Sequence, residues 1–224
     1  MKLTWLGQAG YLCKTDSLTV MIDPYLTDSL GELDPEKHRS FPVPEPVFSE
    51  RPDVMIFTHC HADHFDPGTV RHFLTRNSRV TVLAPRSVWD TVRKAGGRNN
   101  YVLFGRHTVW TEGNVMFRAV RAEHSDPHAI GVVITEGKRR YYFTGDTLYN
   151  EDIFPDLPQD IQAVFLPVNG AGNNMNPADA ARFALRIGAR YTVPMHYGLF
   201  DTIRAEELDL PAKHMLRPFE ETEL

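Results

Sequence analysis

The chain has 224 residues, of which 42% are hydrophobic and 24% charged, and a formal net charge of −5. Domains run to roughly 100–200 residues, so this length fits one domain or two fused halves and excludes two full-sized domains with a linker. The composition excludes disorder over most of the chain, and Lys and Arg scattered through an acidic sequence exclude a surface built on many phosphate contacts, so nucleic acid is not an expected partner.

The chain turns polar by Gln8 without the apolar stretch and cleavage site of a signal peptide, and no apolar run approaches the roughly 20 residues of a membrane span. Two cysteines, Cys13 and Cys60, supply neither a disulfide framework nor a Cys-x-x-Cys cage. A cytoplasmic protein with no membrane association is the expectation.

In chain order, Lys2 to Leu6, Gly10 to Lys14 and Thr19 to Ile22 alternate as three short antiparallel strands. Residues 28–52 are rich in Pro, Glu and charge and carry neither helical nor strand period, which marks an irregular insertion that serves as a lid or a substrate-facing loop. Val54 to Phe57 and Val80 to Leu83 are continuous apolar runs expected of buried strands. Helices are predicted from Pro67 to Leu74 and from Pro85 to Ala95, each opened by Pro. A second β-rich stretch spans Val109 to Thr111, Val115 to Ala122, Ile130 to Thr135 and Arg140 to Thr144. Ala163 to Leu166 is read as a strand, Pro177 to Ile187 as a helix closed by Gly188, and Arg190 to Val193 as a strand. The acidic tail, Pro211 to Leu224, is expected to be partly mobile. Both halves run from β-meander to αβ units, which predicts an α/β (α+β) fold of two sheets packed face to face with helices outside.

Ten histidines are present, and three fall in Thr58-His59-Cys60-His61-Ala62-Asp63-His64, directly after a buried strand. The frequencies of His and Asp give His-x-His-x-Asp-His by chance in roughly one chain in 700 of this length. On an extended segment His59 and His61 point to one side, and a turn beyond them brings Asp63 and His64 round to a neighbouring position. Imidazole and carboxylate are ligands of hydrolytic divalent metals. Other strands end in residues of the same type: His124, Asp146 after Gly145, and His196. Cys60, turned away by the alternation, is read as a buried small hydrophobe.

These residues resemble the metallo-β-lactamase superfamily, whose His-x-His-x-Asp-His, later His, later Asp and final His occur here in order over nearly the whole chain. The resemblance implies a four-layer αββα sandwich over residues 1–224 as one domain carrying the 28–52 insertion. It implies that His59, His61 and His124 hold one metal and Asp63, His64 and His196 another, with Asp146 bridging. A narrower likeness is to the L-ascorbate-6-phosphate lactonase group, through Thr4 to Gly10, Glu123-His124-Ser125-Asp126-Pro127, Thr144 to Tyr149, Leu166 to Gly170, Asn174-Met175-Asn176 and Pro194 to Phe200. That group is associated with manganese and works with a single ion, so one or two divalent ions are expected, manganese or zinc, with iron as a third candidate.

The reaction expected of such a site is attack by a metal-bound hydroxide on an ester or lactone carbonyl, possible because the metal lowers the pKa of bound water from about 15.7 towards 7. Asp63 is the candidate to orient the water or carry its proton, besides being a candidate ligand, and Tyr197 is a candidate donor to an oxyanion or leaving group. Asn169, Asn173 and Asn174, in a Gly-rich loop, are candidate contacts to a small anionic substrate such as a phosphorylated sugar lactone, with Lys37, Arg39 and Arg106 as further phosphate partners to consider. Two rival functions stand beside this one. The same site can present hydroxide to phosphorus, as a phosphodiesterase acting on a small phosphodiester, or bind metal without catalysis if every coordination position is closed. Assembly into a homo-oligomer is left open.

Overall fold

Two sheets carry the fold of the computed structural model, which describes residues 1–224. The opening strands form where alternation predicts them: β1 (Lys2–Gly7), β2 (Gly10–Lys14) and β3 (Thr19–Ile22) pair antiparallel in sequence. Three parallel strands then extend the sheet: β4 (Val54–Ile56), β5 (Thr81–Ala84) and β6 (Asn100–Leu103). The second sheet begins antiparallel with β7 (Val109–Glu112), β8 (Val115–Arg121), β9 (Ile130–Glu136) and β10 (Arg139–Phe143). It finishes parallel with β11 (Ala163–Pro167) and β12 (Tyr191–Met195).

The helices are short: α1 (Glu45–Phe48), α2 (Pro67–Phe73), α3 (Arg86–Val92) and α4 (Pro177–Ile187). Asp66 caps α2 by accepting from Gly68 and Thr69 N–H, Asn176 caps α4 through Asp179 N–H, and Gly188 ends α4 in the left-handed conformation. Alternation along the strands builds the layers. Tyr11 of the first sheet meets Phe143 and Phe165 of the second at 5.2 and 4.9 Å between ring centroids, so the main core lies between the sheets. The opposite face of the first sheet, with Leu12, Met21, Met55, Phe57 and Val82, packs on Val70 and Phe73 of α2 and on Val88 and Val92 of α3. Tyr142, pointing outward from β10, meets Phe183 of α4. This is the αββα sandwich.

Strand β6 and a last strand, β13 (Glu221–Glu223), lie outside the elements read from the sequence. The tail corrects the expectation of a mobile end: β13 pairs with β1 at the sheet edge, Leu224 is buried, and its carbonyl accepts from the Tyr141 hydroxyl at 2.7 Å. The missing signal is length, because three alternating residues carry no readable period. The 28–52 stretch is irregular apart from a 3₁₀ turn at Pro35–Lys37 and α1. It is tied down along its length. Thr27 and Ser29 donate to Asp66, Asp28 accepts from Arg39 N–H and pairs with His38, and Ser40 bonds Leu199 and Gly198. No helix is long and apolar enough to cross a membrane.

Candidate metal centre

Each residue of the candidate site follows a strand, and the pairing directions send those strands to one edge. β1 and β3 both run antiparallel to β2, and β4 runs parallel to β3; β8 and β10 both run antiparallel to β9, with β11 and β12 parallel to β10. The carboxyl ends therefore gather Gln8, Asp23 and the His59 to His64 loop from the first sheet, and His124, Asp146, Asn169 and His196 from the second. Two backbone hydrogen bonds close the seam between the sheets, Ile130 N–H to Thr58 O and His196 N–H to Gln8 O, both at 3.0 Å.

Three overlapping groups of donor atoms result: His59, His61, His124 and Asp146; beside them Asp63, His64 and His196; and behind both, Asp23 with His59 and His64. In the first group the ring centroids are 4.6 Å apart for His59 with His61 and with His124, and 4.8 Å for His61 with His124. In the second group the Asp63 Oδ2 and His196 Nε2 atoms are 3.1 Å apart. Asp146 faces both, with Oδ1 at 3.2 Å from His64 Nε2 and Oδ2 at 3.2 Å from His196 Nε2 and 4.0 Å from His59 and His124 Nε2. Gly145 brings it there at φ +61, and a Cβ at that position would stand 2.9 Å from the Ile130 carbonyl oxygen and the Thr58 Cβ.

The tautomers are set from behind. Asp23 Oδ2 lies 2.8 Å from His64 Nδ1, and the Asn173 carbonyl lies 3.2 Å from His124 Nδ1. Each acceptor takes the Nδ1–H, so Nε2 is the nitrogen left to face the site, the arrangement that orients metal-ligating imidazoles. His124 Nε2 and His61 Nδ1 then face each other at 3.1 Å. Nε2 of His59, Nε2 of His64 and Oδ1 of Asp146 are buried without a hydrogen-bond partner. Orphaned buried nitrogen and oxygen atoms converging in two clusters fit divalent cations, and this nitrogen and oxygen set suits manganese, iron or zinc.

The electrostatics divide the first two groups. Burial, with the positive charge of His64 next, holds His59 well below the ordinary imidazole value, and burial also lowers His124. Burial opposes the charged forms in the second group as well, yet there the carboxylates outweigh it. Asp146, then Asp63 and Asp23, raise His64, and Asp146, then Asp63, push His196 up to about 10. Burial likewise opposes ionisation of Asp63 and Asp146, and it is outweighed first by His64 for Asp63 and first by His196 for Asp146, so both carboxyls lie below the usual range. A cation entering the Asp63, His64 and His196 group must therefore displace protons at neutral pH, whereas His59 and His124 are already neutral. The expected result is a second metal equivalent whose affinity rises with pH up to about 10, with proton release measurable by calorimetry in buffers of different ionisation enthalpy. A second equivalent of pH-independent affinity between 6 and about 9 would contradict this assignment of protons.

The site opens on a cavity of about 650 Å³ lined by His61, Asp63, Asp146, His196, Asn169, Asn173 and Asn174 among others. Lys37 and Leu30 bring the 28–52 stretch to its wall. Lys37 is the only lysine or arginine there, and its Nζ pairs with Asp34 Oδ2 at 3.3 Å. Arg39 is spent on the carbonyls of Tyr25 and Leu6, and Arg106 on a two-pronged pair with Asp156.

Three expectations are corrected. Tyr197 does not reach the site: His196 adopts φ +59, and the next side chain turns into the core, where the Tyr197 ring stacks on Trp5 at 5.0 Å. Its phenol is therefore no donor to a substrate in the cavity. Asn174 is buried and its amide is committed within the protein, Nδ2 donating to Asp146 Oδ2 at 2.8 Å and Oδ1 accepting from Thr147 N–H at 3.0 Å, so it positions Asp146. Cys60 is exposed, because the chain leaves the sheet before residue 60 and the alternating direction leads to solvent; its N–H donates to Asp126.

Asp23, Gln8 and Asp126 escaped the sequence reading. Asp23 obeys the rule that found the others, a ligand-type residue directly after a strand, and that signal was available. Gln8 is not a residue type that points to metal, and Asp126 braces the motif loop through Cys60 N–H and Ser87 Oγ, contacts with no local signature.

Comparison with known proteins agrees with this geometry. Residues 19–197 match the family model described as the beta-lactamase superfamily domain. A metal-dependent hydrolase of Methanoculleus marisnigri is 30% identical over 220 residues, covering 91% of this chain and 84% of the relative. Another of that designation, from Aeropyrum pernix, is 28% identical over 99% of this chain and 97% of its own length. Among solved structures, the metallo hydrolase Igni18 of Ignicoccus hospitalis superposes with a TM-score of 0.79 over 100% of this chain and 98% of its own, at 17% identity, a likeness of fold.

Proposed function

This chain belongs to the metallo-β-lactamase superfamily and is a metal-dependent hydrolase, and from that premise we propose that it opens a carboxylic ester or lactone of a small anionic molecule, a phosphorylated sugar lactone being the class to which the narrower resemblance points. The observation that carries this reading is the pair of His and Asp clusters opening on a cavity whose lining residues are mostly polar in type, with a single lysine in its wall. His59, His61 and His124 would hold one divalent ion, Asp63, His64 and His196 a second, and Asp146 would serve both. A bound divalent ion supplies a Lewis acid that polarises a carbonyl and makes water acidic enough to act as a nucleophile at neutral pH.

The chain's own residues supply the rest. Asp63 Oδ2 is engaged by Gln8 at 2.8 Å and His196 at 3.1 Å, which leaves Oδ1 to take a proton from the attacking water and return it to the leaving oxygen. Asn174 and Asp23 hold Asp146 and His64 in place. Asn169 and Asn173 present amides to polar substituents, and Lys37, anchored near the cavity by the tied-down 28–52 stretch, attracts the anionic group. The insertion, through Leu30 and Lys37, and the 169–174 loop wall a cavity of about 650 Å³, a size that suits small substrates.

The test is a panel of lactones with and without a phosphate or carboxylate, a thioester and bis-p-nitrophenyl phosphate, with Mn²⁺ or Zn²⁺ added. Anionic lactones are expected to turn over fastest. Lys37→Gln should raise KM for them by about tenfold, the worth of one charge-assisted hydrogen bond, and leave neutral lactones unaffected. Faster turnover of the phosphodiester would assign the site to phosphorus instead, and metal uptake with no turnover across the panel would favour a binding role.

A further inference from the structure

Gln8 is a buried glutamine, 2% exposed, in the turn between β1 and β2 at the edge where the candidate ligands meet. Its backbone is part of the site: at φ +52 its carbonyl accepts from His196 N–H and from Trp5 Nε1, both at 3.0 Å. Its side chain enters the second cluster. Nε2 stands 2.8 Å from Asp63 Oδ2, 3.1 Å from His196 Nε2 and 3.2 Å from His196 Nδ1. The amide nitrogen thus donates to Asp63 Oδ2 and lies over the His196 ring, nearly equidistant from its two nitrogens, against two of the groups that a cation in this cluster would use.

A carboxylate oxygen accepts either an N–H or a cation, but never both along one direction. Once a divalent ion is shared by Asp63 and His196, an N–H aimed at the same place faces a positive charge. The two ends of a carboxamide have nearly the same shape, and rotation about the last side-chain bond exchanges the NH₂ for Oε1. Amide carbonyl oxygen is a ligand of hard divalent ions, and carbonyl, carboxylate and water donors suit manganese. We propose that Gln8 is a switchable donor of the second cluster, an N–H donor to Asp63 before the ion binds and an oxygen ligand once it has bound. The proposal rests on the reading of Asp63, His64 and His196 as a metal position, and it is independent of the substrate.

Two consequences follow from the chemistry. The amide satisfies Asp63 when no second ion is bound, which makes that state cheap and lets the chain operate with the first position alone filled. It also tunes the second position toward oxygen-loving ions.

Titration of chelator-stripped protein with Mn²⁺, followed by the EPR signal of the free ion, tests this, with Zn²⁺ in a parallel arm. Wild type should take up two equivalents. Gln8→Leu should weaken the second by about 10- to 100-fold, the range typical of outer partners of a metal site, and leave the first unchanged. The loss should be smaller for Zn²⁺, which draws more on imidazole. Gln8→Glu is isosteric, so it serves even if the leucine variant fails to fold. Its added charge should tighten the second equivalent by tenfold or more. It should also lower the thermal midpoint of the stripped protein, where two carboxylates would face each other, with recovery on Mn²⁺ addition. Unchanged second-site affinity in Gln8→Glu, or a single equivalent in wild type at saturating Mn²⁺, would overturn the proposal. Neither outcome depends on hydrolysis, so failure here and failure of the ester or lactone reading are separable.

Discussion

Asp146→Ala should lose hydrolysis by more than about 100-fold, beyond the 10- to 100-fold usual for residues behind the ligands, and should lose bound metal from both positions. Asp146 is the one carboxylate that faces both clusters, within 3.2 Å of His64 and His196 and 4.0 Å of His59 and His124. Its Oδ1 is buried without a partner, and its Oδ2 is aimed by Asn174. Without it, His64 and His196 lose the charge that contributes most to raising their pKa, so the pH dependence of whatever metal binding survives should weaken. Metal analysis after gel filtration and kcat/KM on the best substrate of the panel provide the readouts. Two retained equivalents with activity within about tenfold of the parent would remove Asp146 from the shared position. Asn174→Ala should act in the same direction more weakly, because it disturbs the aim of Asp146 and leaves the charge.

Asp23→Ala should destabilise the stripped protein by about 3–5 kcal/mol, the cost of removing one partner from a buried charged network. Asp23 is 1% exposed and accepts from Thr58 N–H at 2.7 Å, from Thr58 Oγ1 at 2.5 Å and from His64 Nδ1 at 2.8 Å. Alanine leaves these donors unsatisfied where water does not reach. Asp23→Asn separates folding from function. Asn tolerates the φ of +42 found at this position and can still accept from Thr58, which spares most of the stability. Its NH₂ then faces His64 Nδ1, which favours the tautomer with the proton on Nε2 and denies that lone pair to a metal. Urea unfolding and metal titration should therefore part company in this variant, with stability mostly retained and the second equivalent weakened by about 10- to 100-fold. Full metal affinity in Asp23→Asn would show that the carboxylate does not set the tautomer.

The same network gives the stripped fold a defined response to pH. A folded His196 pKa of about 10 against 6.5 for a free imidazole contributes stability that is complete below pH 6.5 and lost as pH rises through about 10. Asp63 and Asp146 act with the opposite sign, and their contribution disappears as pH falls below the ordinary carboxyl range. Stability of the stripped protein should therefore decline at both extremes, and bound metal should flatten the alkaline side by replacing the proton on His196.

Much of the architecture was legible because strands announce themselves through neighbours one and two residues away. β1 to β5 and β7 to β12 fall where alternation or buried apolar runs placed them, while β6 and β13, short and with no fully buried residue, exist because a neighbouring edge was there to pair with. The candidate ligands were legible for a related reason: a ligand-type residue directly after a strand is a local pattern. Tyr197 was a candidate only through its place beside His196, and the backbone at His196 sends it into the core instead.

The sequence by itself determined the donor types and their place at strand ends, since both are written within a few residues of each other. Only the tertiary structure decided that these ends share one edge, that the donors fall into two clusters joined by Asp146, and that Asp23, Asn174 and Gln8 stand behind them. Gln8 and His196 are 188 residues apart, and Asp23 and His64 are 41 apart. Contacts at such separations leave no periodicity in the chain, because they arise from the directions of strands in two packed sheets and from the need to satisfy buried polar atoms once those sheets have met.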